Sequence, residues 1–79
     1  MAEEQQPGVT ESLFEAPPMA EQERMVEAIL FASAEPQSKL QIENRMPHGS
    51  DVGEALVHLR NRYEGRGVFL AKIGDGWAC

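Results

Sequence analysis

Apolar positions along the chain fall into three helical stripes followed by a short extended run. In residues 21–35, Met25, Val26 and Ile29 share one face of a 100° wheel, with Ala28 and Ala32 flanking it and Leu30 at its edge. Phe31 lies roughly opposite the centre of that face, beside Arg24. The run Ala28-Ile29-Leu30-Phe31-Ala32 is therefore apolar nearly all round, which predicts packing on more than one side. Pro36 is expected to end this helix, because the residue before a proline is pushed out of the α region. Residues 38–46 predict a short second helix. Ser38-x-x-Gln41 has the spacing of a capping box, and Ile42 and Met46 face one way, with Leu40 less well placed. Pro47, His48 and Gly49 close it. In residues 52–64, Val52, Ala55, Leu56, Leu59 and Tyr63 recur at offsets 0, 3, 4, 7 and 11, which is one stripe. Asp51-x-x-Glu54 supplies a start of the same capping kind, and Gly65 a left-handed C-cap.

The period then changes. Val68-Phe69-Leu70-Ala71-Lys72-Ile73 reads as a β-strand, and Gly74-Asp75-Gly76 as a hairpin turn in which Asp-Gly suits the positive φ of a primed turn. Trp77-Ala78-Cys79 begins a return strand. Three residues give such a strand little support, so the hairpin is expected to be cut short. Helix, helix, helix and hairpin in that order predict an α+β fold. It is a winged helix-turn-helix, three helices plus a truncated β-hairpin wing, spanning residues 21–79. A three-helix bundle with a tail is the competing architecture. Residues 1–20, rich in Glu, Gln and Pro, read as a disordered acidic arm. Its one bulky apolar pair is Leu13-Phe14, weighed as a short docking motif but better explained as an incidental pair in a solvated tail.

Charge sharpens this division. The formal net charge of the 79 residues is −6. Residues 1–36 hold eight acids against one base, Arg24, a net of −7; residues 37–79 hold five acids against six bases, a net of +1. A phosphate backbone attracts concentrated positive charge, so nucleic acid is not the expected partner. No apolar run is long enough to span a bilayer, and the opening Met1-Ala2-Glu3-Glu4-Gln5-Gln6 has neither the basic nor the apolar region of a secretion signal. A cytoplasmic protein is expected. The single cysteine, Cys79, cannot form an internal disulfide, and no Cys/His spacing suggests zinc.

Candidate chemistry is sparse. His48 sits in a Pro-His-Gly turn. His58 follows Glu54 by one helical turn, a spacing that suits a surface pair worth a few tenths of a kcal/mol. Cys79 has no neighbouring base in sequence. With no phosphate-binding glycine loop, nucleophile elbow or metal spacing, neither an enzyme nor a cofactor is expected.

The stretch Met25 to Pro36, with its Leu30-Phe31-Ala32-Ser33 and Glu35-Pro36, followed by Ser38, resembles the opening of segregation and condensation protein B. Gly65-Arg66-Gly67-Val68 and Gly74-Asp75-Gly76-Trp77 resemble the wing of that family. The likeness covers residues 22–79 and corresponds to the first of the family's two winged-helix domains. Lys39 departs from it, standing where the family often has an apolar residue. The resemblance implies a non-catalytic subunit that dimerises and binds a kleisin and, through it, an SMC ATPase. It further implies a cytoplasmic, nucleoid-associated complex that compacts and separates chromosomes.

Candidate interface residues are the off-stripe Phe31 and Val57, together with Leu30 and Trp77; Trp77 is also expected to pack the wing onto the helices. A winged-helix DNA-binding regulator is the alternative, with Arg60, Arg62, Arg66 and Lys72 as its candidate phosphate contacts. The third helix opposes it. Opposite its core stripe lie Glu54, Val57, His58, Asn61 and Glu64, and Arg60 and Arg62 stand about 160° apart on the wheel, on opposite flanks.

Overall fold

The computed structural model describes residues 16–79. Leu13-Phe14 and most of the expected arm lie outside the described residues. Three helices and a small antiparallel sheet follow in the order α1 (Met19–Ala32), β1 (Gln37–Ser38), α2 (Lys39–Glu43), α3 (Val52–Tyr63), β2 (Ala71–Ile73) and β3 (Gly76–Ala78). This is the α+β architecture of a winged helix-turn-helix.

The third helix forms as its pattern demands. Val52, Ala55, Leu56, Leu59 and Tyr63 are all buried. The Asp51 side chain accepts a hydrogen bond from the Glu54 amide at 3.0 Å, satisfying one of the donors a helix start leaves unpaired. Gly65, at φ 79°, makes the left-handed exit. At α2 the capping box is complete: the Gln41 amide donates to Ser38 Oγ at 3.1 Å, and the Ser38 amide donates to Gln41 Oε1 at 2.8 Å. The helix stops at Glu43 rather than Met46. A turn carries the chain on, with Ile42 and Met46 buried and Leu40 exposed.

The first helix departs from its expected phase and bounds. It starts two residues earlier, at Met19, and ends at Ala32, because Ser33 turns extended (φ −91°, ψ 135°) while its hydroxyl donates to the Ile29 carbonyl at 2.6 Å. Pro36 is not the breaker. The buried face is Gln22, Glu23, Val26 and Leu30, whereas Met25 and Ile29 only flank the core. Two polar side chains hold buried positions, which pulls a purely apolar wheel towards Met25 and Ile29. Gln22 is satisfied at both ends of its amide: it donates to the Pro17 carbonyl at 2.7 Å and accepts from the Asp51 amide at 2.8 Å, tying the entry of α1 to that of α3.

The sheet has order β1-β3-β2, and its first strand was not foreseen. Gln37 pairs with Trp77 and Ser38 with Gly76, while β2 and β3 form the hairpin with Ile73 opposite Gly76. The expected strand over 68–73 shrinks to Ala71–Ile73, all exposed. The hairpin loop is Gly74-Asp75, with the positive φ (61°) at Gly74, rather than an Asp-Gly pair. Gly76 has a different duty: a Cβ there would stand 2.6 Å from the Pro36 Cβ, so only glycine lets β3 approach the chain entering β1.

Candidate protein-interaction surface

Among the described residues, the large apolar side chains left exposed are Phe31, Leu40, Val57, Val68, Phe69 and Ile73, with Phe31 59 % and Phe69 69 % exposed. Phe31 stands off the buried face of α1, as its wheel position demands. Leu30, a candidate interface residue by sequence, is only 4 % exposed and belongs to the core with Val26 and Leu59, so it offers no surface to a partner. Leu40 was not a candidate. Its poor placement on the second stripe was the available signal.

Val57 and Trp77 come together. They line a cleft of about 250 Å³ between α3 and the wing, floored also by Leu56 and rimmed by Lys39, Arg60 and Lys72, with Asp75 the one acid at its edge. Trp77 is half-buried: one part packs on the core, and the ring is flanked by cations. The Arg60 guanidinium carbon and Lys72 Nζ each lie 5.7 Å from its centroid, within cation–π range. Lys39 also faces Glu43 at 3.9 Å, one turn along α2. It enters the cleft from the start of α2 and lies over Gly53 at the start of α3. Lys39 was not among the sequence-level candidates, since nothing local links it to residues twenty and thirty positions away.

The four basic candidates divide. Arg60 and Lys72 meet at Trp77. Arg62 turns the other way and binds Glu23, whose side chain is only 6 % exposed. His58 Nδ1 lies 2.8 Å from the other oxygen of Glu23, and His58 Nε2 lies 3.4 Å from Glu54. Arg62 is thus committed to an internal ion pair that holds α1 on α3, and it is not free for a phosphate. The Glu54–His58 pair of the sequence is one side of this larger cluster. Arg66 is exposed beyond the end of α3 and does not line the cleft.

Tyr63 donates to Glu27, and its hydroxyl is held above the ordinary tyrosine range, first by burial and then by that carboxylate. The Cys79 thiol, beside both, is likewise pushed up, first by desolvation and then by Glu27. A raised thiol pKa means less thiolate and a weaker nucleophile. Among the described residues, no group of three or more His, Cys, Asp or Glu side chains could hold a metal ion. No helix there is long and apolar enough to cross a membrane.

In comparison with known proteins, the family model described as segregation and condensation complex subunit ScpB aligns with residues 24–79. No curated protein and no solved structure matches the chain.

Proposed function

The chain belongs to the segregation and condensation complex subunit ScpB family, and on that premise we propose that it works by protein–protein contact alone, dimerising and binding the kleisin of an SMC–kleisin complex. In this reading it acts in the cytoplasm, associates with the nucleoid through that complex, and performs no covalent chemistry. The observation that carries the reading is the pairing of family membership with unpartnered apolar side chains. Phe31 on α1 and Val57 beside Trp77 are exposed on elements whose cores are already filled. Val57 and Trp77 line one cleft while Phe31 stands apart on α1, and contiguous exposed apolar surface is what marks an association site. The domain division, with an acidic arm preceding the winged helix, belongs to the same proposal.

Size-exclusion chromatography with light scattering, on the chain alone and with its cognate kleisin, tests it. A dimer alone, or co-elution with the kleisin, supports the interaction reading. A folded monomer that ignores the kleisin contradicts it.

One observation favours the alternative, a DNA-binding regulator: Lys39, Arg60 and Lys72 converge on a single cleft beside α3. The loss of Arg62 to Glu23, the carboxylate of Glu54 on the outer face of α3 and that of Glu64 just past its end weigh against it. Salt-dependent binding of a duplex oligonucleotide would revive it.

A further inference from the structure

Carboxylates on the helices are committed within the fold. Glu23 holds Arg62 and His58, Glu54 faces His58, and Glu27 accepts from Tyr63. Around Trp77 the balance is reversed. Arg60 and Lys72 stand over its ring, and among the described residues neither has a carboxylate within ion-pairing distance. Lys39, at the other end of the cleft, reaches Glu43 at 3.9 Å, where both side chains are exposed. Among the described residues, Asp75 is the one acid on the lining. Like charges gathered around an apolar floor of Leu56, Val57 and Trp77 repel one another. An occupant that brings carboxylates relieves this repulsion, and one that also brings an apolar side chain covers the floor.

Two kinds of polymer carry concentrated negative charge, and the lining discriminates between them. A nucleic-acid strand has a phosphate at every nucleotide, so Asp75 repels it, and its bases must displace Arg60 and Lys72 to stack on Trp77. A peptide places its charges singly. It can set carboxylates at the two cationic ends, a bulky apolar side chain on Val57 and Trp77 between them, and an uncharged residue beside Asp75. The dimensions suit it. Gly53, which lies under Lys39, and Arg60 are seven residues apart on α3, about 10 Å, a distance an extended chain covers in about three residues. The volume, about 250 Å³, falls below the roughly 300–1,000 Å³ of small-molecule pockets and is on the scale of side chains.

We propose that the cleft around Trp77 is a docking site for a short acidic segment of another protein. Its apolar side chain lies on Val57 and Trp77, and its carboxylates face Lys39 at one end and Arg60 with Lys72 at the other. This rests on the reading of the chain as an association subunit and supplies the chemistry of one partner segment.

Trp77 is the only tryptophan of the chain, so its emission and its quenching by acrylamide report the cleft directly. The probe is the blocked peptide Ac-Asp-Glu-Phe-Leu-Glu-Asp-NH2, titrated into the full chain. Binding should saturate, shield Trp77 and weaken with added salt. Arg60→Glu/Lys72→Glu changes two exposed side chains, so the fold should persist while binding weakens at least about tenfold. That variant should instead prefer a peptide with lysines in place of the acids, a gain that misfolding cannot produce. Val57→Asp, or serines in place of Phe-Leu in the peptide, should weaken binding as much. The absence of a saturable response, or a response that Arg60→Glu/Lys72→Glu leaves unchanged, would overturn the proposal. Other occupants would overturn it too. If Leu13→Ser/Phe14→Ser makes the chain bind the peptide at least about tenfold more tightly, a segment of the chain itself holds the cleft; sedimentation then tells its own from a second copy's, since peptide would dissociate a dimer in the latter case. Displacement of the peptide by a duplex oligonucleotide would assign the cleft to nucleic acid. A chain that dimerises or co-elutes with its kleisin yet ignores the peptide overturns the docking site and leaves the association reading intact. A monomer that ignores the kleisin yet binds the peptide supports the docking site and contradicts the dimer and kleisin reading.

Discussion

Among the described residues, all nine buried apolar side chains stand on α1, on α3 or in the stretch Ile42–Met46, whereas in the three strands only Gly76 is buried and Gln37, Ser38, Trp77 and Ala78 are half-buried. The helical part has a filled interior and the wing a surface. Ile42, Leu59, Val26 and Val52 are buried almost completely, while all three residues of β2 are exposed. Apolar residues therefore do two jobs in one small chain. In the helices they remove area from water on folding. On the wing and on the outer faces of α1 and α3, Phe31, Val57, Phe69 and Ile73 stay exposed, and we propose that they serve association.

The contrast breaks most sharply under truncation. Leu59→Ala should lower stability by roughly 2–5 kcal/mol in urea unfolding, the range for emptying a packed core site. Ile73→Ala, at a side chain 55 % exposed, should change it by less than about 0.5 kcal/mol. Similar losses at both sites would mean that the wing belongs to the core. Glu23→Ala comes next. It leaves Arg62 and His58 without their shared carboxylate, but both side chains are 42 % exposed. The screened loss should be about 1–2 kcal/mol in the same assay. Ser38→Ala removes the α2 cap at the junction of helix and sheet and should cost about 1 kcal/mol.

The smallest effect concerns pH. Tyr63 is held protonated by burial and by Glu27, so its folded pKa lies above its unfolded value of about 10. Its contribution is complete below about pH 10 and is lost as pH climbs beyond it. Unfolding curves recorded between neutral and strongly alkaline pH should show the wild type losing more stability above that point than Tyr63→Phe.

The same two regions explain what could be read from the sequence. All five stripe residues of α3 are buried, and the Ser38 capping box is present, because both signals are local and periodic. The phase of α1 was not legible. Burial of Gln22 and Glu23 depends on Asp51, His58 and Arg62, some thirty to forty positions away. Nor was β1, a two-residue strand with no room for alternation, which exists only because β3 comes back beside it. The candidate surface was legible where exposure follows from a helix face, at Phe31 and Val57, and illegible where it depends on tertiary convergence. Leu30 fell into the core, Arg62 went to Glu23, and Lys39 joined the cleft.

The division between folding and associating side chains is tested most directly by Phe31→Asp, followed by urea unfolding and by sedimentation with and without the kleisin. The account predicts an unfolding free energy within about 0.5 kcal/mol of wild type and an assembly weakened at least about tenfold. A variant that unfolds readily, or one that assembles as tightly as wild type, would contradict it.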